Sequence, residues 1–183
     1  MTFLAEQVGE MESRFGTPDH LTRVQPTSQI DLERIRSTMV NGRAHDITIF
    51  ISKDDGYIFI AKPFYPQGLY RAPSGGVHRG EDFEAGAKRE AREETGVEVE
   101  LERYILRIDV RFKSDDEYLD WTTHIFKAHY VSGEIDPLDK REIREARLIK
   151  SDEIPAFGEI MLSSGRGGFA YRAFLTEEAL RRL

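Results

Sequence analysis

The sequence predicts an α/β (α+β) fold, a mixed β-sheet with helices packed against it as a sandwich. Two β-rich runs joined by a short polar turn mark the start of its clearest region, at 46–62. A helical segment at 82–95 follows, and then a stretch at 97–112 in which apolar and charged residues alternate.

Taken in order, Phe3, Leu4, Val8, Met11 and Phe15 share one helical stripe, so 1–15 is expected as an amphipathic helix that Gly16-Thr17-Pro18-Asp19 ends. The segment to about 44 is mixed, and Ile30, Leu32, Ile35 and Met39 fit either helix or strand. The runs 46–52 and 57–62 flank Lys53-Asp54-Asp55-Gly56 and read as a hairpin with an Asp-Gly turn. Prolines and glycines make 63–80 a loop. Asp82 can cap a helix running to Thr95, and Gly96 can close it. In 97–112, Tyr104, Leu106, Ile108, Val110 and Phe112 fall on one face, with Arg107, Asp109 and Arg111 on the other. A polar turn at 113–117 leads to a strand at 121–131, a short strand is expected at 147–150, and a closing helix at 176–183. The run Ser163-Ser164-Gly165-Arg166-Gly167-Gly168 lacks the lysine and spacing of a phosphate-binding loop and reads as a mobile surface loop.

Composition narrows the function classes. A chain of 183 residues is long enough for one core, and 39% apolar with 32% charged residues suits a globular protein. A formal charge of −7 argues against a broad nucleic-acid surface but not against a small phosphorylated ligand. The absence of cysteine removes disulfides, thiolate metal sites and thiol nucleophiles. With no basic-apolar leader and no apolar run of membrane-spanning length, the cytoplasm is the expected compartment, with no membrane partner. The histidines His20, His45, His78, His124 and His129 show no metal-ligand spacing.

Glu90, Glu93 and Glu94 carry the chemistry. Their spacing places all three on one helix face, where like charges repel by ~0.2–0.5 kcal/mol per pair. Gly96 marks the negative end of the helix dipole, which disfavours them further. A bound divalent cation relieves both penalties. Hard oxygen ligands suit Mg²⁺ or Mn²⁺, which bridge to substrate phosphates.

Upstream residues complete a longer pattern. Gly75, then Glu81 after five positions, then Arg89-Glu90 after seven, with Glu93-Glu94, Gly96 and Val97, resembles the Nudix box G-x5-E-x7-R-E-U-x-E-E-x-G-U. Every fixed position is present, and Ala91 stands at the first aliphatic place. A chance match is on the order of one in 10⁸ per start position. Tyr70-Arg71-Ala72-Pro73 and the run from Glu142 to Leu148 extend the resemblance to about 45–155, leaving 1–44 as an amino-terminal arm before a domain at 45–183. The arm resembles a segment that some family members use in dimers, so a homodimer contact is expected there.

The resemblance implies an α/β/α sandwich and hydrolysis of a phosphoanhydride in a nucleoside diphosphate linked to another group. ADP-ribose-like or nucleotide-sugar substrates are slightly preferred, a nucleoside triphosphate is an alternative, and a non-catalytic nucleotide sensor is the rival class. An isomerase of the same fold would want a cysteine. Glu90, Glu93 and Glu94, with the Gly75 carbonyl, are the expected metal ligands. Glu93, Arg89 as orienter and Glu142 form the catalytic set, Glu145 being the rival to Glu142. Arg71, His78 and Arg79 are the candidates for substrate phosphate. Arg43 is a further one, with structural pairing the other reading of both Arg43 and Arg71.

Overall fold

The computed structural model describes residues 3–39, 42–78 and 80–183, with the side chains of Phe3 and Leu4 outside that description. Strand β2 (His45–Lys53) lies within the sheet, and the six residues from Asp46 to Ile51 are buried. Ile47, Ile49 and Ile51 enter one core while Phe50 enters the other. This is why the run reads as continuously apolar rather than alternating. It turns into β3 (Gly56–Ala61) through Asp54 and Asp55, since Lys53 already pairs with Gly56. The expected Asp-Gly turn is therefore shifted by one residue. Gly56 belongs to the strand because a Cβ there would lie 2.1 Å from the Ile149 carbonyl oxygen.

The remaining strands are β1 (Asp19–Pro26), β4 (Ser74–Gly75), β5 (Glu98–Ser114), β6 (Glu117–Ser132) and β7 (Glu145–Lys150). They form a seven-stranded mixed sheet in the order β1-β5-β6-β2-β3-β7, with β4 also on β2. The pairs β1–β5 and β2–β6 are parallel. β3 and β4 divide one edge of β2 between them, and the loop between those two strands leaves the sheet there. The single-face reading of 97–112 needs one correction. A register shift between Tyr104 and Leu106 turns Tyr104 to the opposite core, where it stacks on Phe126 at 4.5 Å between ring centroids.

Among the described residues five helices cover the sheet: α1 (Phe3–Phe15), α2 (Gln29–Ser37), α3 (Phe83–Thr95), α4 (Ile154–Ser163) and α5 (Gly167–Leu180). Met11 of α1 and Phe83, Ala87 and Ala91 of α3 pack on one face. Leu32 of α2, Phe157 and Met161 of α4 and Phe169 and Leu175 of α5 pack on the other. The stripe Val8, Met11 and Phe15 is thus spent on this chain's own core. The segment 1–44 supplies a strand and two helices to the same sandwich.

The closing helix starts at Gly167, well before 176, and the run 163–168 is the end of α4, a short connector and the start of α5. Its shape is fixed by the Arg166 amide donating to Ser164 Oγ and by Gly167 lying against Pro26 and Thr27. No helix among the described residues is long and apolar enough to cross a membrane.

Candidate active site

α3 is built to present its carboxylates at fixed positions. Asp82 caps it by accepting from the Ala85 amide at 2.7 Å, and Gly96 closes it at φ +81°, a conformation in which a Cβ is strained. Phe83, Ala87 and Ala91 anchor one face in the core, which turns Glu90, Glu93 and Glu94 toward the β4–α3 loop and the 138–143 loop. Ala91 occupies the aliphatic place of the box and is fully buried.

Each carboxylate has its own partners. Glu94 is 4% exposed; its Oε2 accepts from the Ser74 amide at 2.8 Å, and its Oε1 lies 3.6 Å from Lys62 Nζ and 3.7 Å from Arg71 Nη2. Glu93 is half exposed and accepts from Arg89 Nη1 at 3.1 Å. Glu90 is largely buried and accepts from the same Nη1 at 2.9 Å. Burial, with Glu94 and Glu93 close by, holds Glu90 above the usual carboxylate range against the pull of Arg89.

Arg89 orders the cluster. Its Nε and Nη2 each reach Glu81 at 2.9 Å as a bidentate pair, and Nη2 also donates to the Gly76 carbonyl at 2.8 Å. Arg89 in turn holds Glu81 below its usual range, with the His78 amide as a further donor at 2.9 Å. Glu81 therefore braces the loop.

Gly75 sits so close to the cluster that a Cβ would lie 1.9 Å from the Glu90 carboxyl carbon. As they stand, the side chains satisfy one another. Among the described residues no three His, Asp or Glu groups are arranged as a ready-made ion site. The donor chemistry nonetheless fits a hard divalent cation: three carboxylates on one rigid helix, Glu94 buried and Glu90 largely so, with glycine backbone against Glu90.

The other candidates are dispersed around this centre. Glu142 lies in the loop before β7, exposed, and pairs with Lys62, which also faces Glu94. Glu145 opens β7 and accepts from the Tyr70 hydroxyl at 2.6 Å. His78 is exposed, 4.0 Å from Glu81. Arg79 lies outside the described residues.

Arg71 is 5% exposed and faces inward. It donates to Tyr65 Oη at 2.6 Å, to the Ala72 carbonyl at 2.7 Å and to Ser74 Oγ at 2.8 Å. Burial opposes its charge, but Tyr65 and Glu94 carry its proton affinity above the ordinary value. It lines neither of the two concavities beside the helix and acts as the brace of Glu94 and the Ser74 turn.

Those concavities meet at Glu90. The larger, of about 1500 Å³, lies over the open end of the β1–β5–β6 face and includes Arg43, Gly76, Phe83, Asp109 and Trp121. The smaller, of about 620 Å³, lies between α3 and the 138–143 loop and includes Glu93, Glu94 and Glu142. Sequence reasoning did not foresee the contribution of β1 to the larger cleft, through Thr22 and Val24. Those positions become neighbours of Asp109 and Arg111 only through the parallel pairing of β1 with β5.

The model of the NUDIX domain matches residues 42–165. The NAD-capped RNA hydrolase NudC of Photobacterium profundum is 34% identical over 110 residues, covering 60% of this chain and 39% of that protein. The oxidized purine nucleoside triphosphate hydrolase of Mus musculus is 29% identical over 117 residues, covering 64% and 72%. The chain thus spans about two-fifths of the length of the NudC relative. A NUDIX hydrolase structure from Nitrosomonas europaea superposes with a TM-score of 0.50 at 23% identity, over 64% of this chain and 79% of that one, a likeness of fold. With every fixed position of the box present on and around the capped helix α3 and the family model spanning 42–165, this chain belongs to the Nudix family.

Proposed function

We propose that the protein is a Mg²⁺- or Mn²⁺-dependent pyrophosphohydrolase that cleaves the phosphoanhydride of a nucleoside diphosphate linked to a second group. The observation that carries this reading is the position of Glu90, on the wall shared by a large and a small concavity, with Glu93 and Glu94 on the same helix. A diphosphate laid across that wall has its bridging oxygen beside the carboxylates and room for a substituent on either side. This favours an ADP-ribose-like or nucleotide-sugar substrate over a nucleoside triphosphate, whose second side is a bare phosphate.

Glu90, Glu93 and Glu94 would hold the cation, with Gly75 backbone beside them. The cation neutralises phosphoryl charge and lowers the proton affinity of water. This chain's residues do the rest. Arg89 fixes the rotamers of Glu90 and Glu93, while Glu81 fixes Arg89. Lys62 and Arg71 fix Glu94. Glu142, exposed on the rim of the smaller concavity and paired with Lys62, would accept the proton of the attacking water. Water's oxygen joins one phosphorus, the bridging P–O bond breaks, and a nucleoside monophosphate and a phosphorylated partner leave.

The test is a panel of ADP-ribose, nucleotide sugars, dinucleotides and nucleoside triphosphates with Mg²⁺, Mn²⁺ or a chelator. Glu93→Gln and Glu94→Gln are each expected to lower kcat by at least about 100-fold, equivalent to ~2.7 kcal/mol of barrier. Turnover that persisted in chelator, or in both variants, would remove the cation and its ligands from the mechanism. Nucleotide binding without turnover across the panel would favour a sensor.

A further inference from the structure

Among the described residues the larger cleft contains four guanidinium groups, and three of them are already engaged by side chains. Arg107 is held by Asp109 at 3.2–3.3 Å, and Arg111 makes a bidentate pair with Asp120 at 2.7 and 2.8 Å. Arg23 donates to Gln25 at 2.9 Å and lies over the Phe174 ring. Arg43 differs. Among the described residues it donates only to backbone carbonyls, those of Thr38 at 3.1 Å and His45 at 3.4 Å, and its guanidinium faces the Trp121 ring at 5.7 Å.

Its position is as informative as its partners. A Cβ at Gly76 would lie 1.5 Å from Arg43 Nη1, so the guanidinium rests directly on that glycine. The Gly76 carbonyl is the one Arg89 holds, and the preceding residue, Gly75, is the one pressed against Glu90. A positive charge with no carboxylate partner among the described residues therefore sits beside the carboxylate cluster, on the side of the larger cleft. Planar guanidinium donors match phosphate oxygens in pairs, and a group not committed to an acidic partner keeps its full attraction for an incoming anion.

Resting on the reading of the chain as a diphosphate hydrolase, we propose that the larger cleft takes the nucleoside monophosphate half of the substrate and that Arg43 binds its phosphate. The second group then lies in the smaller concavity. Arg43 makes the site selective for a phosphorylated nucleoside over the bare nucleoside, and the glycine at 76 leaves the space its guanidinium occupies.

The experiment is calorimetric titration of the four ribonucleoside monophosphates and their nucleosides into the wild type, Arg43→Met and Arg43→Lys, with chelator and again with Mg²⁺. Arg43→Met is expected to weaken the best-bound monophosphate by about 10- to 100-fold, the worth of a charged hydrogen-bonded contact, and to leave its nucleoside within about twofold. Arg43→Lys is expected to recover part of the loss, with unchanged thermal midpoints. Equal losses for monophosphate and nucleoside would assign Arg43 a purely structural role. Unchanged monophosphate affinity, or no monophosphate bound by the wild type at millimolar concentration, would also overturn the proposal. Hydrolysis is scored separately. Turnover with an unaltered KM in Arg43→Met sinks this inference alone, whereas Arg43-dependent binding without turnover sinks the enzymatic reading alone.

Discussion

A methyl group on residue 75 would have to occupy space already filled by the Glu90 carboxyl carbon, 1.9 Å away. Gly75→Ala is therefore expected to drive Glu90 out of the cluster. The loss in kcat/KM should reach at least about 100-fold, while overpacking costs about 1–3 kcal/mol of stability. Steady-state kinetics and urea unfolding on the same sample check both; a near-normal rate would show that Glu90 need not lie against that backbone. The carboxylates themselves were readable in the sequence, because a fixed spacing on a helix fixes a face. The partners of Arg71 were not, although structural pairing was one of its two readings. Its burial depends on Tyr65, Ser74 and Glu94 converging from three segments, and nothing local to Tyr70-Arg71-Ala72-Pro73 signals that.

At the scale of single elements, α3 carries its own boundary signals, Asp82 at one end and Gly96 at the other. Gly96 has a second duty: a Cβ there would lie 2.2 Å from the Asp136 carbonyl oxygen, in the loop that forms one wall of the smaller concavity. Gly96→Ala combines left-handed backbone strain with that clash, and we expect a destabilisation of about 2–4 kcal/mol. It should also displace the 138–143 loop, read as a rise in KM for diphosphate substrates. A drop in stability of under about 1 kcal/mol in urea titration would contradict this.

The hairpin and the long strand β5 were legible for similar local reasons. β1 and α4 were not. In β1 the apolar residues Leu21 and Val24 are three apart, so the strand shows no period of two; it is an edge strand with one face open to the cleft. In α4, Pro155 and Gly158 mask a helical stripe of Ile154, Phe157 and Met161 that gains its meaning only against the sheet.

At the scale of the molecule, one sheet separates the two larger apolar cores among the described residues, a small third lies around Ile60, Ile143 and Ala146, and a titratable group is sealed against one of the larger two. His124 is 1% exposed; its Nδ1 is bonded to Tyr104 and its Nε2 has no partner among the described residues. Burial, and then the neighbouring His45, push its pKa down to about 3. In the unfolded chain a histidine titrates near ~6.5. The unfolded state therefore takes up the proton first as the pH falls. The stability due to a neutral His124 is complete above about pH 6.5 and is lost on acidification toward about pH 3, at up to ~1.4 kcal/mol per pH unit. His45 is lowered in the same sense, again chiefly by burial. Urea unfolding between pH 7 and 4 should show this slope, and His124→Asn should flatten it by roughly one proton. Parallel slopes in the two proteins would assign the acid sensitivity elsewhere.

The parallel seat of β1 on β5 has a consequence for how the chain is made. Residues 19–26 leave the ribosome long before 106–113, the one ladder they join among the described residues. At roughly 5–20 residues per second the segment waits on the order of several seconds for its template to be translated. Throughout that wait one wall of the larger cleft does not exist, so the concavity over β1, β5 and β6 cannot take shape in the nascent polypeptide until the residues of β5 and β6 have emerged.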